Sequence, residues 1–317
     1  MTKSINQILL VSLSNIGDVV LTFPVLDILR RDFPDAGLTV MAGPKARALL
    51  ADNPCFTFLS YDKHSSWAEK ACSIRKLRRK KIDLAVDLRN TLIPYLAGAK
   101  RKTSLFLRRR DNRHMRFQHL DRLRSVYLYS SESSQKFAVD LFGGRVNRLP
   151  QEIRRGHYIV AAPGAADHRK RLSPRCFAGL CDHIVERHRK DVVLIGDVSD
   201  EEIGEEVLNA MQHKGYNLCG QTTLLESASL MAGAGLVLTN DSAPMHLASY
   251  LDIPVIAFFG PTSPVKYGPW SGKSLTVTPQ GAGTDVWRPG ASLNGISCDA
   301  IIERCAAFCQ EVLTHGS

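Results

Sequence analysis

The sequence lacks any long hydrophobic run. None of its 317 residues lies in a stretch of the roughly 18 continuous apolar residues that a membrane-spanning helix needs. The apolar run at residues 8–13 is too short for the core of a signal peptide, and no small-residue cleavage pattern follows it. A composition of 44% hydrophobic and 23% charged residues is typical of a globular protein. We therefore expect a folded protein of the cytoplasm.

The eight cysteines lack the spacing of a redox or zinc motif. No two of them are separated by two residues, and most stand in apolar surroundings. We interpret them as small buried hydrophobic residues. Cys298, Cys305 and Cys309 have helical spacing, which indicates a packing face because a fourth metal ligand is missing. We expect no metal site.

Two nucleotide-binding motifs are also missing. The run from Gly268 to Ser274 looks like a phosphate loop, but three residues separate its glycines where the motif requires four. Gly233 and Gly235 precede a predicted strand instead of following one, and the turn after the first strand contains only Gly17. These departures exclude a P-loop ATPase and leave an NAD-dependent enzyme unsupported.

Positive charge is in excess and unevenly placed. The formal net charge is +10, and clusters of Lys and Arg occupy residues 75–81 and 100–116. A basic half suits nucleic acid, an anionic membrane surface or a phosphorylated substrate, although a solvated helix face explains residues 75–81 equally well. Because no aromatic stacking platform or nucleic-acid motif stands among these arginines, we expect no nucleic-acid partner and keep a basic nucleic-acid-binding protein as a remote alternative.

Short apolar runs alternate with helical patterns along the chain, which is typical of βαβ units and parallel sheets. The chain also exceeds the length that one hydrophobic core usually supports. A polar stretch at residues 143–156 predicts a linker between two doubly wound, Rossmann-like α/β domains, residues 1–152 and 153–317, which face each other across a ligand cleft. The predicted strands are residues 8–13, 38–41, 57–60, 82–87, 104–107, 158–162, 192–195, 216–218, 236–239 and 255–259.

The turn after the first strand contains a candidate catalytic carboxylate. An apolar helical pattern at residues 19–29 follows it, so Asp18 lies at a helix start. There an aspartate can cap free amides, or it can take a proton from a hydroxyl bound in the cleft. Local spacing favours the cap. Gly17 suits a tight turn or a close ligand approach and does not separate the two interpretations.

In the second half, two loops that follow strands can contact an anion. The cationic run from His168 to Arg171 suits a phosphate or an ordinary basic surface loop. Beyond the strand at 236–239, Asp241 or Ser242 is the natural cap of the next helix, whose free amides would form an anion site. Glu226, at the start of the preceding helix, can accept hydrogen bonds from a ribose or face solvent.

Together these motifs resemble glycosyltransferase family nine, the heptosyltransferase family, over most of the chain. In this sequence Ala243 stands where many members have glycine, and Leu172 and Ser173 replace a usual Trp-Pro. The matching segments are residues 8–11, 14, 17–20 and 24 in the first half, and 163–165, 170–171, 217–220, 222, 224, 226, 240–248, 259–264 and 267–270 in the second.

The resemblance implies the two-domain GT-B fold, with the acceptor on the first domain and the nucleotide-sugar on the second, and a last helix that packs back on the first domain. It implies an inverting transfer. Because no Asp-x-Asp carboxylate pair stands at a matching loop, we expect the transfer to need no metal and no cofactor. The resemblance makes Asp18 the general base, which reverses the local preference for a cap, and Lys170 a ligand of the donor phosphates. The other implied donor contacts are Ser14, Gly17, Glu226, Asp241, Ser242, Ala243 and His246.

The resulting hypothesis is transfer of a heptose from ADP-heptose to the inner core of lipopolysaccharide. That acceptor is a lipid-linked anionic glycan, so we expect peripheral contact with the inner membrane and regard Arg108, Arg109 and Arg110 as candidate acceptor ligands. The alternative is a GT-B transferase for another nucleotide-sugar or another acceptor, such as O-antigen, a different glycan or a protein, because the contacts that select the sugar are few and lie in loops.

Overall fold

The computed structural model describes residues 4–51, 53–106, 112–132, 136, 153–283 and 287–314. The chain divides into two compact units, Met1–Leu141 and Phe142–Ser317. We predicted a domain boundary after residue 152. Residues 137–152 lie outside the described residues, so the position of this boundary stays a prediction.

The first unit contains a five-stranded parallel sheet in the order β3-β2-β1-β4-β5. The central strand β1 is buried from Ile8 to Val11 because strands flank it and helices pack on the sheet, as its unbroken apolar run indicates. The strands are β1 (Gln7–Val11), β2 (Gly37–Ala42), β3 (Thr57–Ser60), β4 (Leu84–Asp87) and β5 (Arg101–Lys102); the described helices are α1 (Ile16–Val20), α2 (Phe23–Asp32), α3 (Arg47–Leu50), α4 (Trp67–Arg79), α5 (Ile93–Leu96) and α6 (Met115–Arg124).

The apolar pattern at residues 19–29 forms two helices, where the sequence predicted one. α1 ends at Val20, and α2 begins at Phe23 with Pro24 in its first turn. Proline has no N–H to donate, so it is tolerated at a helix start but interrupts a continuous helix. At the break, the Thr22 hydroxyl donates to the Val19 carbonyl at 2.7 Å and lies 2.9 Å from the Ser12 hydroxyl. The break therefore ties α1 to the end of β1.

The second unit contains a seven-stranded sheet in the order β12-β11-β10-β9-β6-β7-β8, parallel except for β12. The strands are β6 (Tyr158–Ala162), β7 (Asp191–Leu194), β8 (Tyr216–Asn217), β9 (Val237–Asn240), β10 (Val255–Phe258), β11 (Ser274–Thr278) and β12 (Gly281–Ala282); the helices are α7 (Pro174–His188), α8 (Glu201–Ala210), α9 (Leu224–Ala232), α10 (Ala243–Leu251), α11 (Pro264–Tyr267) and α12 (Cys298–Thr314).

The predicted strands agree with the structure except at the sheet edges. The strand expected at residues 104–107 is wrong: β5 is the two-residue segment Arg101–Lys102, paired with Leu84 and Ala85. Its Lys and Arg are typical of an edge strand, where charge blocks further pairing, and give no apolar signal. β11 and β12 were not predicted, since β11 is apolar at alternate positions only and β12 has two residues.

The helix α12 packs against α7 and closes the core of the second unit. Ile301, Cys305 and Cys309 are fully buried there, which confirms the predicted packing face. Burial raises the pKa of both thiols, as expected for inert core cysteines. The further expectation that α12 packs on the first domain stays a prediction.

Four cysteines depart from the prediction of simple buried residues, and one of them, Cys55, is only half-buried. Cys298, at the start of α12, forms a disulfide with Cys176 in the first turn of α7, which ties the two helix starts together. Cys72 is exposed on α4. Sequence spacing could not reveal the pair because 122 residues separate its members. Across the described ranges, no helix combines the length and the apolar character that a membrane span requires.

Candidate active site

Asp18 lies just beyond the carboxyl end of β1, in the first turn of α1. The residue at the N-cap is Asn15, in extended conformation, so the local interpretation of Asp18 as the cap is wrong. The Asn15 amide instead donates to the Asp18 carboxylate at 3.1 Å. The half-buried carboxylate is therefore held near the positive end of α1, at the edge of the sheet where ligands of parallel sheets bind.

The loop that contains Ser14 packs tightly on the loop after β2. A Cβ atom on Gly43 would lie 2.6 Å from both Cβ and Oγ of Ser14, so only glycine permits this approach. The Gly43 amide also donates to the Leu13 carbonyl at 3.1 Å. Ser14 and Gly17 are half-buried on this loop, in the same turn region as Asp18.

Lys170 ends a short 3-10 helix, His168–Lys170, in the loop after β6. Its Nζ lies 2.7 Å from an oxygen of Asp241, and its side chain is 25% exposed. Arg169 differs, because its 69% exposed side chain pairs with Asp167 and lowers the pKa of that carboxyl through their hydrogen bond. The alternative of an ordinary basic surface loop therefore fits His168 and Arg169. Lys170 differs, because its ammonium group contacts the buried carboxylate of Asp241.

Asp241 lies between β9 and α10, and its side chain is only 6% exposed. The Thr262 hydroxyl donates to the same oxygen that accepts from Lys170. Because the Lys170 ammonium and this hydroxyl converge on one carboxylate oxygen, Asp241 acts within the protein as the anchor of Lys170. A contact of Asp241 with the donor stays a prediction.

The N-terminal end of α10 adds backbone donors beside this pair. Ser242 is the N-cap residue, one of the two predicted, but its side chain makes no capping hydrogen bond. The hydroxyl lies 3.3 Å from the Thr239 hydroxyl instead. The first-turn amides, beginning with Ala243, thus have no side-chain cap, and such a helix end favours an anion through its amides and dipole.

Asn240 is a site residue that the sequence analysis missed. Its fully buried side chain accepts from the Leu172 amide at 2.9 Å and donates to the Pro163 carbonyl at 2.7 Å. These two contacts clamp both ends of residues 163–172, the loop that presents Lys170. Polarity at the end of a buried strand was the available signal, but the partners of Asn240 lie 68 and 77 residues away.

Thr262 was also missed as a functional residue. Close approach of its loop depends on Gly260, where a Cβ would lie 3.0 Å from the Arg169 carbonyl. The Trp287 indole N–H donates to the Gly260 carbonyl at 2.8 Å. The loop after β10 is thus held against the loop of Lys170, which allows the Thr262 hydroxyl to reach Asp241.

Glu226 and His246 have structural contacts of their own. Glu226 and Thr223 form a capping box at the start of α9, with the carboxylate accepting from the Thr223 amide at 2.7 Å. His246 is 5% exposed on the inner side of α10, and its ring centroid lies 5.7 Å from that of Trp270. A contact of either residue with a ligand stays a prediction.

The remaining predicted residues are the candidate acceptor ligands. Arg108, Arg109 and Arg110 lie outside the described residues. Within the ranges that the structure covers, no cluster of three or more His, Cys, Asp or Glu side chains is placed to hold a metal ion.

The Asn240 clamp can be tested by Asn240→Asp. The substitution replaces the donor to Pro163 with an acceptor and buries a carboxylate, which we expect to lower the free energy of unfolding by about 2–3 kcal/mol. Because the loop loses its anchor, trypsin should cleave after Arg169, Lys170 or Arg171 at least several times faster. Denaturant melts and timed proteolysis measure both effects. Asn294→Asp, an exposed amide, is the control, and equal loop cleavage in the two variants would contradict the clamp.

Comparison with known proteins places this geometry in a family. The model of glycosyltransferase family 9 (heptosyltransferase) matches residues 73–283. Lipopolysaccharide heptosyltransferase 3 of Escherichia coli is 27% identical over 288 residues, 82% of this chain and 85% of that protein. Lipopolysaccharide heptosyltransferase 2 of E. coli K12 is 27% identical over 307 residues, 86% of this chain and 87% of the relative.

Two solved structures are similar over nearly the full length. The E. coli heptosyltransferase WaaC with ADP has a TM-score of 0.73 at 18% identity and covers 95% of this chain and 99% of its own. The E. coli ADP-heptose heptosyltransferase II has a TM-score of 0.71 at 23% identity, with 96% and 99% covered. These likenesses confirm the GT-B fold. The match of the family model over most of the chain shows that the protein belongs to glycosyltransferase family 9, the heptosyltransferase family.

Proposed function

We propose that this protein transfers a heptose from ADP-heptose to the inner core of lipopolysaccharide, with inversion at the anomeric carbon. Membership of family 9 and relatives that are lipopolysaccharide heptosyltransferases support the reaction. The observation that best supports binding of the sugar donor is the ion pair of Lys170 and Asp241, which lies beside the start of α10, where no side chain caps the helix. A cation and helix-end amides on neighbouring loops are what a diphosphate needs.

In this proposal Lys170 exchanges its partner when the donor binds. The ammonium leaves Asp241 for the diphosphate, and Asp241 stays hydrogen-bonded to Thr262. Asp241 thereby positions Lys170, and the phosphate contacts come from Lys170 and the amides of Ser242 and Ala243. Both groups offset the negative charge that grows on the leaving diphosphate in the transition state.

In this proposal Asp18 is the general base that activates the acceptor. A hydroxyl of the acceptor attacks the anomeric carbon, Asp18 takes the hydroxyl proton, and the bond between that carbon and the phosphate oxygen breaks with its electron pair on ADP. Attack opposite to the leaving group inverts the configuration. The Asn15 amide keeps the carboxylate oriented at the end of β1.

The charge distribution supports an anionic acceptor bound by the first unit. Residues 1–141 contain 25 of the 41 Lys and Arg but only 13 of the 31 Asp and Glu, so the second unit has no basic excess. A lipid-linked core with acidic sugars and phosphates is a polyanion at a membrane surface, and a basic unit attracts it. We include peripheral contact with the inner face of the cytoplasmic membrane in the proposal.

Asp18→Asn removes the base and keeps the shape of the side chain. We expect turnover to fall by about a hundredfold to ten-thousandfold, the usual contribution of a general base, with unchanged affinity for ADP. Steady-state transfer to a delipidated core acceptor and calorimetric titration of ADP measure the two quantities. Asp35→Asn, on an exposed carboxylate of the same unit, is the control, and parental turnover in Asp18→Asn would remove Asp18 from the mechanism.

Lys170→Ala should weaken ADP binding by about tenfold or more and slow turnover, because a charge-assisted contact to the diphosphate is lost. The variant also leaves the buried Asp241 carboxylate without its cation, which destabilises the protein. The double variant Lys170→Ala/Asp241→Asn removes both charges, so it should recover stability but not affinity. Arg169→Ala is the matched control in the same loop. Full ADP affinity in the double variant would contradict the phosphate role.

Thr262→Val tests the exchange of partners. With ADP bound, Thr262 is the hydroxyl that still donates to the buried Asp241, so its loss should penalise the bound state more than the free state. We expect the Kd for ADP to rise by about tenfold, with a smaller loss of thermal stability, and Thr262→Ser to restore the affinity. Calorimetry and thermal melts separate the two effects. Equal affinity in Thr262→Val and the parent would show that Asp241 does not need the hydroxyl.

A further inference from the structure

The one-turn helix α5 is apolar on both of its sides. Ile93 and Ala97 point into the core of the first unit and are 4% and 2% exposed. Leu92, Tyr95 and Leu96, at spacings of three and four residues, share the outer side and are 58%, 41% and 47% exposed. A surface helix normally turns polar residues to water, so an apolar outer side indicates contact with another apolar medium.

Cations border this apolar side directly. The Arg78 guanidinium at the end of α4 donates to the Leu96 carbonyl at 2.7 Å. The Lys102 ammonium lies 5.2 Å from the centroid of the Tyr95 ring. We call Leu92, Tyr95, Leu96, Arg78 and Lys102 the α5 patch.

The sequence around the α5 patch is strongly basic. Residues 70–106, which include most of α4 and all of α5 and β5, have eleven Lys and Arg and only two acidic residues, Asp83 and Asp87. Arg75 and Arg79 are exposed on α4 and extend the positive charge from Arg78. Asp83 is paired with Lys100 at 2.7 Å, and the buried Asp87 accepts from the Thr91 hydroxyl at 2.8 Å. The charge around the α5 patch is therefore predominantly positive.

We infer that the α5 patch docks this protein on an anionic lipid bilayer, an inference that rests on the proposed function because the acceptor there is anchored in a membrane. Three apolar side chains reach the acyl boundary, while Arg78, Lys102 and the α4 arginines meet lipid phosphates. A stable protein partner buries about 800 Å² on each side, far more than three side chains offer. A bilayer needs only shallow insertion and opposite charge, which matches this surface.

Vesicle binding by the intact protein tests the inference. The parent should sediment with vesicles of equal parts phosphatidylglycerol and phosphatidylcholine, and only weakly with phosphatidylcholine alone. Leu92→Ser/Leu96→Ser should lower partitioning by about tenfold, because two leucines lose their insertion. Leu128→Ser, at a leucine that is 81% exposed elsewhere in the first unit, should leave it unchanged. Parental binding by Leu92→Ser/Leu96→Ser, or equal binding to both vesicle types, would overturn the proposal.

A charge variant tests the inference independently, so that the result does not depend on correct folding of Leu92→Ser/Leu96→Ser. Arg75→Gln/Arg79→Gln should lower partitioning by about tenfold at low salt and approach the parent at high salt, where exposed charges are screened. Arg175→Gln/Arg187→Gln, which removes two exposed arginines from α7, is its control. Parental binding by Arg75→Gln/Arg79→Gln at low salt would contradict the electrostatic part.

Further outcomes would identify a different occupant of the α5 patch. They also distinguish failure of the docking proposal from failure of the proposed function. Displacement of the parent from acceptor-free vesicles by a delipidated core acceptor would assign the patch to the glycan. A dimer that only Leu92→Ser/Leu96→Ser dissociates would assign it to a second copy. Turnover of this variant on the delipidated acceptor should equal that of the parent. If the parent bound anionic vesicles normally but transferred no heptose, the proposed function would fail while the docking surface stood.

Discussion

The buried end of β9 is the constraint on which the geometry of the proposed donor site depends. Two consecutive residues, Asn240 and Asp241, bind the same neighbouring loop in different ways. Asn240 holds the loop backbone at Pro163 and Leu172, and Asp241 holds the loop's lysine. One strand end therefore sets both the path of the loop and the direction of its cation.

The ion pair between Lys170 and Asp241 suits exchange with a ligand. Asp241 is almost fully buried, so it would be costly to leave without donors, whereas Lys170 retains partial exposure. Thr262 supplies a second donor to Asp241 from the loop after β10. The proposed turn of Lys170 to a diphosphate would therefore leave Asp241 with a hydrogen-bond donor. A preorganised cation of this kind needs little reorganisation when charge develops on the leaving group.

Net charge differs between the two units, in line with the tasks proposed for them. The basic excess of the chain lies entirely in the first unit, which also contains Asp18 and the α5 patch. An acceptor that is anionic and embedded in a membrane requires both attraction at a distance and a surface that tolerates lipid. The second unit has more acidic than basic residues, and its proposed donor contacts are Lys170 and the amides at the start of α10.

The sequence by itself determined the architecture and the strand-end loops that contain the candidate site residues. Apolar runs and helical periods are local signals, so they predicted the central strands, two α/β units and the loops of Asp18, Lys170 and Asp241. Only the tertiary structure showed features that depend on contacts between distant parts of the chain or on exposure to solvent. The roles of Asn240 and Thr262, the disulfide between Cys176 and Cys298, and the apolar outer side of α5 depend on partners that are distant along the chain or on exposure. Hydrogen bonds and burial are properties of neighbours in space, and neither leaves a period in the sequence.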